Sequence, residues 1–453
     1  MSSVSPDSAE THAAIEAVWR IEAAKLIAGL ARMVRDIGVA EELAQDALVA
    51  ALERWPESGV PRKPGAWLMA TAKRRAIDRF RREKTFERKY EHMVQEFEAR
   101  RTLPDPDLDV AESDDCGDDL LRLIFTACHP VLTREARVAL TLRLLGGLTT
   151  EEIAHAFLVP VATIAQRIVR AKRTLAEARV PFEVPTGAER TARLKSVLEV
   201  IYLIFNEGYA ATAGDDWMRP ELGGEALRLG RILAKLVPGE AEVHGLVALM
   251  EIQASRMGAR TGKGGEIVRL LDQDRGRWDY MLIGRGLAAL QQAEQLKGTL
   301  GPYTLQAAIA ACHARARTPD ATDWERIVAL YDALVELTQS PIVELNRAVA
   351  VGMAFGAAQG LEVADALVEE PSLRAYHLLP AVRGDLLAKL GRLDEARAQF
   401  EQAASLAKNA RERELLLNRA TDISRGSAAQ DAALAQNARD KKLLVEPAST
   451  CRF

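Results

Sequence analysis

Residues 148–175 constrain the fold of this chain more than any other stretch, because their pattern predicts a helix, a turn and a second helix. In the second helix, apolar side chains recur at steps of three and four, which places them on one stripe at 3.6 residues per turn. That stripe is expected to be buried and consists of Val161, Ile164, Ile168, Ala171 and Leu175. Thr149 and Glu152 have the capping-box spacing that begins the first helix.

The opposite face of the second helix is polar and cationic. It carries Gln166, Arg170 and Arg173, with Thr163 and Arg167 at its flank. Such side chains hydrogen-bond guanine edges and phosphate oxygens, as a DNA-reading helix-turn-helix requires. An amphipathic helix pair inside an ordinary all-helical protein has the same pattern, so the motif alone leaves both interpretations open.

A second basic segment lies about eighty residues earlier. Between residues 62 and 89, eleven Lys or Arg residues stand against three acidic ones. The apolar side of the predicted helix consists of Leu68, Ala72, Ala76 and Phe80. Trp67 adds stacking surface beside the charge, a combination that holds unstacked bases of single-stranded DNA. A solvated helix surface is the alternative interpretation.

An acidic spacer separates the two basic segments. Residues 102–121 contain eight Asp or Glu residues and no Lys or Arg, and Pro104 and Pro106 interrupt any helix there. Because like charges repel and apolar content is low, we expect an extended linker that joins two separate domains.

The order of these parts resembles the extracytoplasmic-function sigma factors of bacteria, the smallest members of the sigma-70 family. Such proteins have sigma domain 2, a linker and sigma domain 4. The resemblance is carried by VAEELAQD at 39–46, KPGAWL at 63–68, AIDRFRR at 76–82, LTTEEIA at 148–154 and VPVAT at 159–163. No single string is decisive, whereas their order and spacing together are specific.

The resemblance implies a role for three sets of residues. Core RNA polymerase would bind Glu41, Glu42, Gln45, Asp46 and Leu48. The minus-ten promoter element would be recognised and melted by Trp67, Lys73, Arg74, Arg75, Arg79 and Arg82. The minus-thirty-five element would be read by Thr163, Gln166, Arg167, Arg170 and Arg173. The helix that precedes the helix-turn-helix would face polymerase and upstream phosphates, and it carries Arg134, Arg137 and Arg143.

The chain departs from the family pattern at several of these positions. Leu158 occupies the turn where glycine is common, and a left-handed backbone costs a non-glycine residue about 1 kcal/mol or more. We therefore expect a turn of different shape. Ala165 and Gln166 replace the usual Lys and Ser, and Arg74 replaces a typical Asn, so the base preference does not transfer.

A further 270 or so residues follow the two predicted sigma domains. From about 190 to 423 the composition is rich in Ala, Leu, Glu and Arg, with regular Gly and Pro breaks that predict short helices in series. One tetratricopeptide (TPR) pattern is in register at Gly384, Leu387, Gly391, Ala396, Phe400 and Ala403. These features predict a TPR-like α-helical repeat domain.

Polar and aromatic residues cluster between these repeats. A candidate regulatory groove comprises Arg260, Asp272, Asp274, Arg275, Trp278 and Tyr303, which are residue types of recognition surfaces. The strings around them resemble the C-terminal extension of a sigma-factor subgroup, in which it is thought to regulate the factor. A peptide, a protein or a small molecule is the expected class of signal. A folded spacer or a dimerisation module without a ligand is the alternative.

Composition limits the remaining choices. Four cysteines without C-x-x-C spacing indicate free thiols and a cytoplasmic protein. No apolar run approaches the twenty residues of a membrane span. No phosphate loop, catalytic triad or metal-ligand set is evident, so neither an enzyme nor a cofactor or metal is predicted.

These observations predict an all-α protein. The predicted parts are sigma domain 2 at 10–90, the acidic linker at 91–117, sigma domain 4 at 118–182, the TPR-like domain at 190–425 and a tail at 426–453. The expected function is transcription initiation with core RNA polymerase on promoter DNA. A helix-turn-helix regulator that acts without polymerase remains the alternative.

Overall fold

The computed structural model describes residues 6–82, 115–211, 217–262, 264–296 and 300–424. Within these ranges every extended regular element is a helix, and an isolated β-bridge joins Thr261 to Ile267. The prediction of an all-α fold is therefore confirmed. Most of the predicted acidic linker and the whole predicted tail lie outside the described residues.

The first nine described helices include both predicted DNA-binding segments. They are α1 (Pro6–Val34), α2 (Ile37–Ser58), α3 (Pro64–Arg82), α4 (Asp115–Ala127), α5 (Arg134–Leu144), α6 (Thr150–Phe157), α7 (Val161–Glu177), α8 (Gly187–Tyr209) and α9 (Pro220–Leu236). Local chemistry fixes several of their ends. The Asp36 carboxylate accepts from the Val39 N–H at 2.9 Å to begin α2, and Gly59 ends that helix with φ of 78°.

Nine further helices follow in the described residues. They are α10 (Ala241–Ala254), α11 (Tyr280–Gln295), α12 (Pro302–Arg315), α13 (Trp324–Thr338), α14 (Pro341–Ala354), α15 (Ala357–Asp365), α16 (Leu378–Lys389), α17 (Leu393–Leu406) and α18 (410–424). Helices α12 to α17 pack each on the next, so this part is a series of short helices, as its composition predicts.

The chain divides into two compact units. The first comprises residues up to 205 together with 224–237, and the second comprises the remainder. Predicted domains 10–90 and 118–182 both belong to the first unit. The two predicted domains therefore pack together in this structure, because α1 contacts α2 and α3 as well as α4 and α5.

Helix α8 completes the packing around α4 and α5. The buried Arg193 donates to the backbone oxygen of Phe125 at 2.9 Å, and the Ser196 hydroxyl donates to that of Cys128 at 2.7 Å. From α9, Arg228 donates to the backbone oxygen of Leu145 at 2.6 Å. The first unit therefore continues beyond residue 190, where the sequence predicts a new domain.

Helices α16 and α17 form the hairpin that the tetratricopeptide pattern predicts. Phe400 is fully buried, and a Cβ placed on Gly384 would lie 3.1 Å from its ring, so a larger residue at this crossing would require the neighbouring atoms to shift. Gly391 makes the connecting turn with φ of 75°. Gly384, Gly391 and Phe400 therefore account for the close packing of α16 against α17.

Within the described residues, no single helix has the length and apolar character of a membrane span. In the same residues, α6 and α7 reach the required length and apolar character only when they are counted together, and the chain bends by 115° between them.

Candidate nucleic-acid interface

Helices α6 and α7 form the helix-turn-helix that the sequence predicts. The Thr149 hydroxyl accepts from the Glu152 N–H at 3.1 Å, and the Glu152 carboxylate accepts from the Thr149 N–H at 2.7 Å. This is the reciprocal capping box, and it fixes where α6 begins.

Leu158 ends α6 in the left-handed conformation, with φ of 51° and ψ of 43°. The expectation of a differently shaped turn is therefore wrong at this residue. Its N–H is within hydrogen-bonding distance of the backbone oxygen of His155, and that of Val159 donates to Ala154, so the usual helix-ending bonds form despite the strain.

Helix α7 buries one stripe and exposes the opposite face. Four of the five predicted core positions are buried, namely Ile164, Ile168, Ala171 and Leu175. The fifth, Val161, is the first residue of the helix and is exposed. Gln166, Arg170 and Arg173 are exposed, and Thr163 and Arg167 are half-buried. The structure thus presents these five side chains as the helical period predicts.

Helix α3 carries the second predicted DNA-binding set. Trp67 is half-buried and packs edge-on against Trp55 of α2, with ring centroids 5.3 Å apart. Arg74 is exposed, and Lys73 is half-buried. The side chain of Arg82 lies outside the described part of the chain.

The structure pairs two arginines of this set with two residues predicted to bind polymerase. Arg79 lies 2.8 Å from the Glu42 carboxylate, and Arg75 lies 3.4 Å from that of Asp46. All four side chains are solvent-accessible, so these ion pairs contribute roughly 0–1 kcal/mol each and exchange readily for other partners. Leu48 is half-buried on the same helix.

Glu41 does not lie on the exposed surface that the sequence predicts. It is 4% exposed, and its carboxylate accepts from Arg143 Nε at 2.7 Å and contacts Lys172 Nζ. Gln45 donates to the same carboxylate at 2.8 Å. The spacing of residues on α2 gave no sign of this, because Arg143 and Lys172 belong to α5 and α7.

Further ion pairs join the same two parts of the first unit. Arg32 of α1 lies 3.1 Å from the buried carboxylate of Asp119 in α4. Arg20 of α1 lies 3.1 Å from Glu152 of α6. Together with the pairs of Glu41, these contacts form what we call the closed interface.

The three arginines predicted to face polymerase are engaged within the chain. Arg134 and Arg137 lie 3.4 Å from the Glu199 carboxylate of α8, and Arg137 also bonds to Ser196. Arg143 pairs with Glu41. Arg134 remains exposed, whereas Arg137 and Arg143 are largely covered by these contacts. A contact of this helix with polymerase stays a prediction.

Three residues of the predicted regulatory groove are buried in the second unit. Arg260 lies between the rings of Tyr209 and Trp217, at 3.5 and 4.3 Å, and its burial lowers its pKa to about 10. Arg275 donates to the backbone oxygen of His313 at 2.6 Å. Trp278 is 4% exposed beneath Arg275. Because these side chains pack internally, they do not line an open groove.

The other three groove residues have local contacts. Asp274 accepts from the Gly276 N–H at 2.9 Å, and Asp272 accepts from Arg269 at 2.7 Å. Tyr303 is half-buried at the start of α12. The structure therefore does not bring the six predicted residues together as one recognition surface.

Comparison with known families matches three segments of the chain. Sigma-70 region 2 matches residues 21–86, and sigma-70 region 4 matches residues 122–175. A family of unknown function, DUF6596, matches residues 193–294. No solved structure matches the chain.

Similar proteins fall into two groups. An uncharacterised protein of Rhizobium meliloti is 43% identical over 386 residues, which is 84% of this chain and 89% of that protein. The ECF RNA polymerase sigma factor SigK of Mycobacterium ulcerans is 32% identical over 153 residues, or 32% of this chain and 75% of SigK. The probable ECF sigma factor SigI of Mycobacterium tuberculosis is 28% identical over 183 residues, 40% of this chain and 60% of SigI.

Region 2 thus includes the basic helix α3, and region 4, which follows it in the chain, includes the basic helix α7. The similarity to SigK spans most of that protein. The chain therefore belongs to the extracytoplasmic-function (ECF) family of RNA polymerase sigma factors of the sigma-70 type.

Proposed function

We propose that this sigma factor binds core RNA polymerase, reads the minus-thirty-five element with α7 and recognises the minus-ten element with α3. The observation that carries the proposal is the outward face of α7, where Gln166, Arg170 and Arg173 are exposed opposite a stripe of four buried residues. A recognition helix needs this combination, since its buried side holds it rigid while its other side enters the major groove.

The residues of α7 have distinct chemical uses. The Gln166 amide matches the edge of adenine, and an arginine guanidinium matches guanine or a phosphate oxygen. Arg173 is 2.9 Å from Glu177 in the free protein, and this exposed pair costs little to break.

Helix α3 supplies charge and an aromatic surface for the minus-ten element. Lys73, Arg74, Arg75 and Arg79 place cations along its accessible side. The edge-on pair of Trp55 and Trp67 holds the Trp67 ring in a fixed orientation beside them. A fixed ring suits stacking of a base that has left the duplex, whose release costs a few kcal/mol.

Core RNA polymerase is the partner proposed for α2. Glu42 and Asp46 are exposed there and pair with two arginines of α3. Polymerase binding to α2 would release Arg75 and Arg79, which then become available to DNA phosphates. Glu41 joins this surface only after the closed interface opens.

The closed interface is incompatible with reading both promoter elements at once. The elements are about 25 base pairs apart, which is about 85 Å at 3.4 Å per base pair. The described part of the first unit has about 180 residues, for which a compact fold has a radius of gyration of about 16 Å and spans only about half that distance. We infer that the first unit opens when it binds polymerase, with separation of α5 and α7 from α1 and α2.

The C-terminal part is proposed to regulate this step. The DUF6596 match begins in α8 of the first unit and continues into this part, and the tetratricopeptide assignment rests on the hairpin of α16 and α17. We expect it to assist rather than to inhibit, because a tethered domain without a release partner is a poor permanent inhibitor. A peptide, a protein or a small molecule as its signal remains a prediction.

Run-off transcription tests the proposal. The full chain is combined with sigma-free core polymerase and a library of promoter fragments, and we expect transcripts from a specific subset only when both proteins are present. Substitution of Arg170 and Arg173 by alanine should abolish this specificity without loss of polymerase binding. DNA binding by the chain alone with no polymerase association would favour the polymerase-independent regulator and contradict the proposal.

A further inference from the structure

Val169 is the most exposed valine on the recognition helix, at 63% of its surface. It lies on the outward face with Ala162, Gln166 and Arg173, since these residues are spaced by four, three and four positions. Resting on the function proposed above, we infer that Val169 contacts the C5 methyl group of a thymine in the minus-thirty-five element.

Folding does not account for a valine at this position. The buried stripe of α7 is complete without it, with Ile164 and Ile168 on the opposite side. Valine is also a poorer helix former than alanine, lysine or glutamine, any of which suits an exposed site better. Neither packing nor helix propensity therefore favours this residue in the free protein.

The major groove provides a matching apolar group only on thymine. Adenine, guanine and cytosine present hydrogen-bonding groups there, whereas thymine adds a methyl group. Val169 lies between Gln166 and Arg173, so side chains that hydrogen-bond neighbouring bases would hold its two methyl groups against the base edge. Contact with the thymine methyl removes apolar surface of both partners from water.

Replacement of thymine by uracil removes only this methyl group, and it gives a direct test. Holoenzyme made from the full chain and core polymerase is first used to select minus-thirty-five sequences from a random library. Each selected thymine is then changed to deoxyuridine, and promoter affinity is measured. We expect one position to lose about fourfold, the effect of about 0.8 kcal/mol for one buried methyl group.

The Val169→Ala variant should lose that sensitivity to uracil while it keeps the sensitivity to other base changes. Val161→Ala is the matched control, because Val161 is also exposed on α7 but is the first residue of the helix. The control should respond to uracil as the unmodified protein does. Thermal unfolding of both variants checks that α7 remains folded.

Two results would overturn the inference alone: a selected element without thymine, or an unchanged response to uracil in Val169→Ala. In either case the holoenzyme still selects a promoter, so the proposed function stands. Absence of any selected sequence would overturn the proposed function, and the inference with it.

Discussion

Leu158 stores backbone strain at the turn that orients the recognition helix. Its left-handed conformation is unfavourable for a β-carbon-bearing residue, and its side chain is half-exposed, so little burial offsets the cost. We expect Leu158→Gly to raise the free energy of unfolding of the first unit by about 0.5–1 kcal/mol, the strain relieved less the extra freedom of unfolded glycine. Denaturant titration measures this. Leu158→Ala keeps the strain and should bring no gain, and equal effects of the two substitutions would contradict the explanation.

His313 makes the stability of the second unit depend on pH. Burial, with Arg256 and Arg275 nearby, lowers its pKa from 6.5 to about 4, so the folded unit holds the ring neutral. The unfolded chain binds this proton more readily than the folded unit does. The stability that depends on a neutral His313 is therefore fully present above pH 6.5 and is lost as the pH falls towards 4.

We therefore expect His313→Phe, which retains an aromatic ring against Trp324, to reduce the loss of stability between pH 7 and pH 4.5 by about 2–3 kcal/mol. Denaturant titrations at the two pH values measure the difference. Parallel pH profiles of the variant and the unmodified protein would show that another group titrates.

At the scale of helices, α8 packs against the helices of region 4, although it lies beyond the residues that match region 4. Arg193 and Ser196 satisfy backbone oxygens of α4 and of the turn after it, and Cys128 is buried there with its pKa raised to about 11. Loss of such partners leaves buried carbonyls unsatisfied, at a cost of about 1–3 kcal/mol each.

A chain that ends at residue 186 should therefore expose Cys128. We expect its thiol to react with a maleimide in this fragment and to stay protected in the full chain, as peptide mapping by mass spectrometry would show. Exposed Arg392 provides a control, since Arg392→Ala in the full chain should leave Cys128 protected. A protected thiol in the fragment would mean that α4 to α7 fold without α8.

The helices that the sequence predicts well are those with local signals. The helical spacing of Ile164, Ile168 and Leu175 is a signal contained within a few turns, and so is the capping box that begins at Thr149. Both features are present in the structure. The burial of Glu41 depends on residues about one hundred and one hundred and thirty positions away, so periodicity carries no information about it. The same holds for Arg275, whose acceptor is the end of α12.

At the scale of the whole molecule, we propose that the stability of the closed interface limits association with core polymerase. Glu41 is a buried carboxylate with two cationic partners, and a buried pair is strongly destabilised when one partner is lost. We expect Arg143→Gln to weaken the interface by about 1–3 kcal/mol, because Lys172 remains, and to speed association with core polymerase. Stopped-flow binding measures the rate. Arg392→Gln, in an exposed pair of the second unit, should leave it unchanged, and an equal or slower rate for Arg143→Gln would contradict an inhibitory role.

The opening of the first unit is tested most directly by energy transfer between fluorophores on regions 2 and 4. Exposed positions 57 and 177 accept labels through non-natural residues, which leaves the native cysteines in place. The free protein should show high transfer, which falls sharply when core polymerase and a promoter fragment are added and transcription begins. Low transfer in the free protein, or unchanged transfer in a complex that makes transcripts, would contradict a sigma factor that is closed until polymerase opens it.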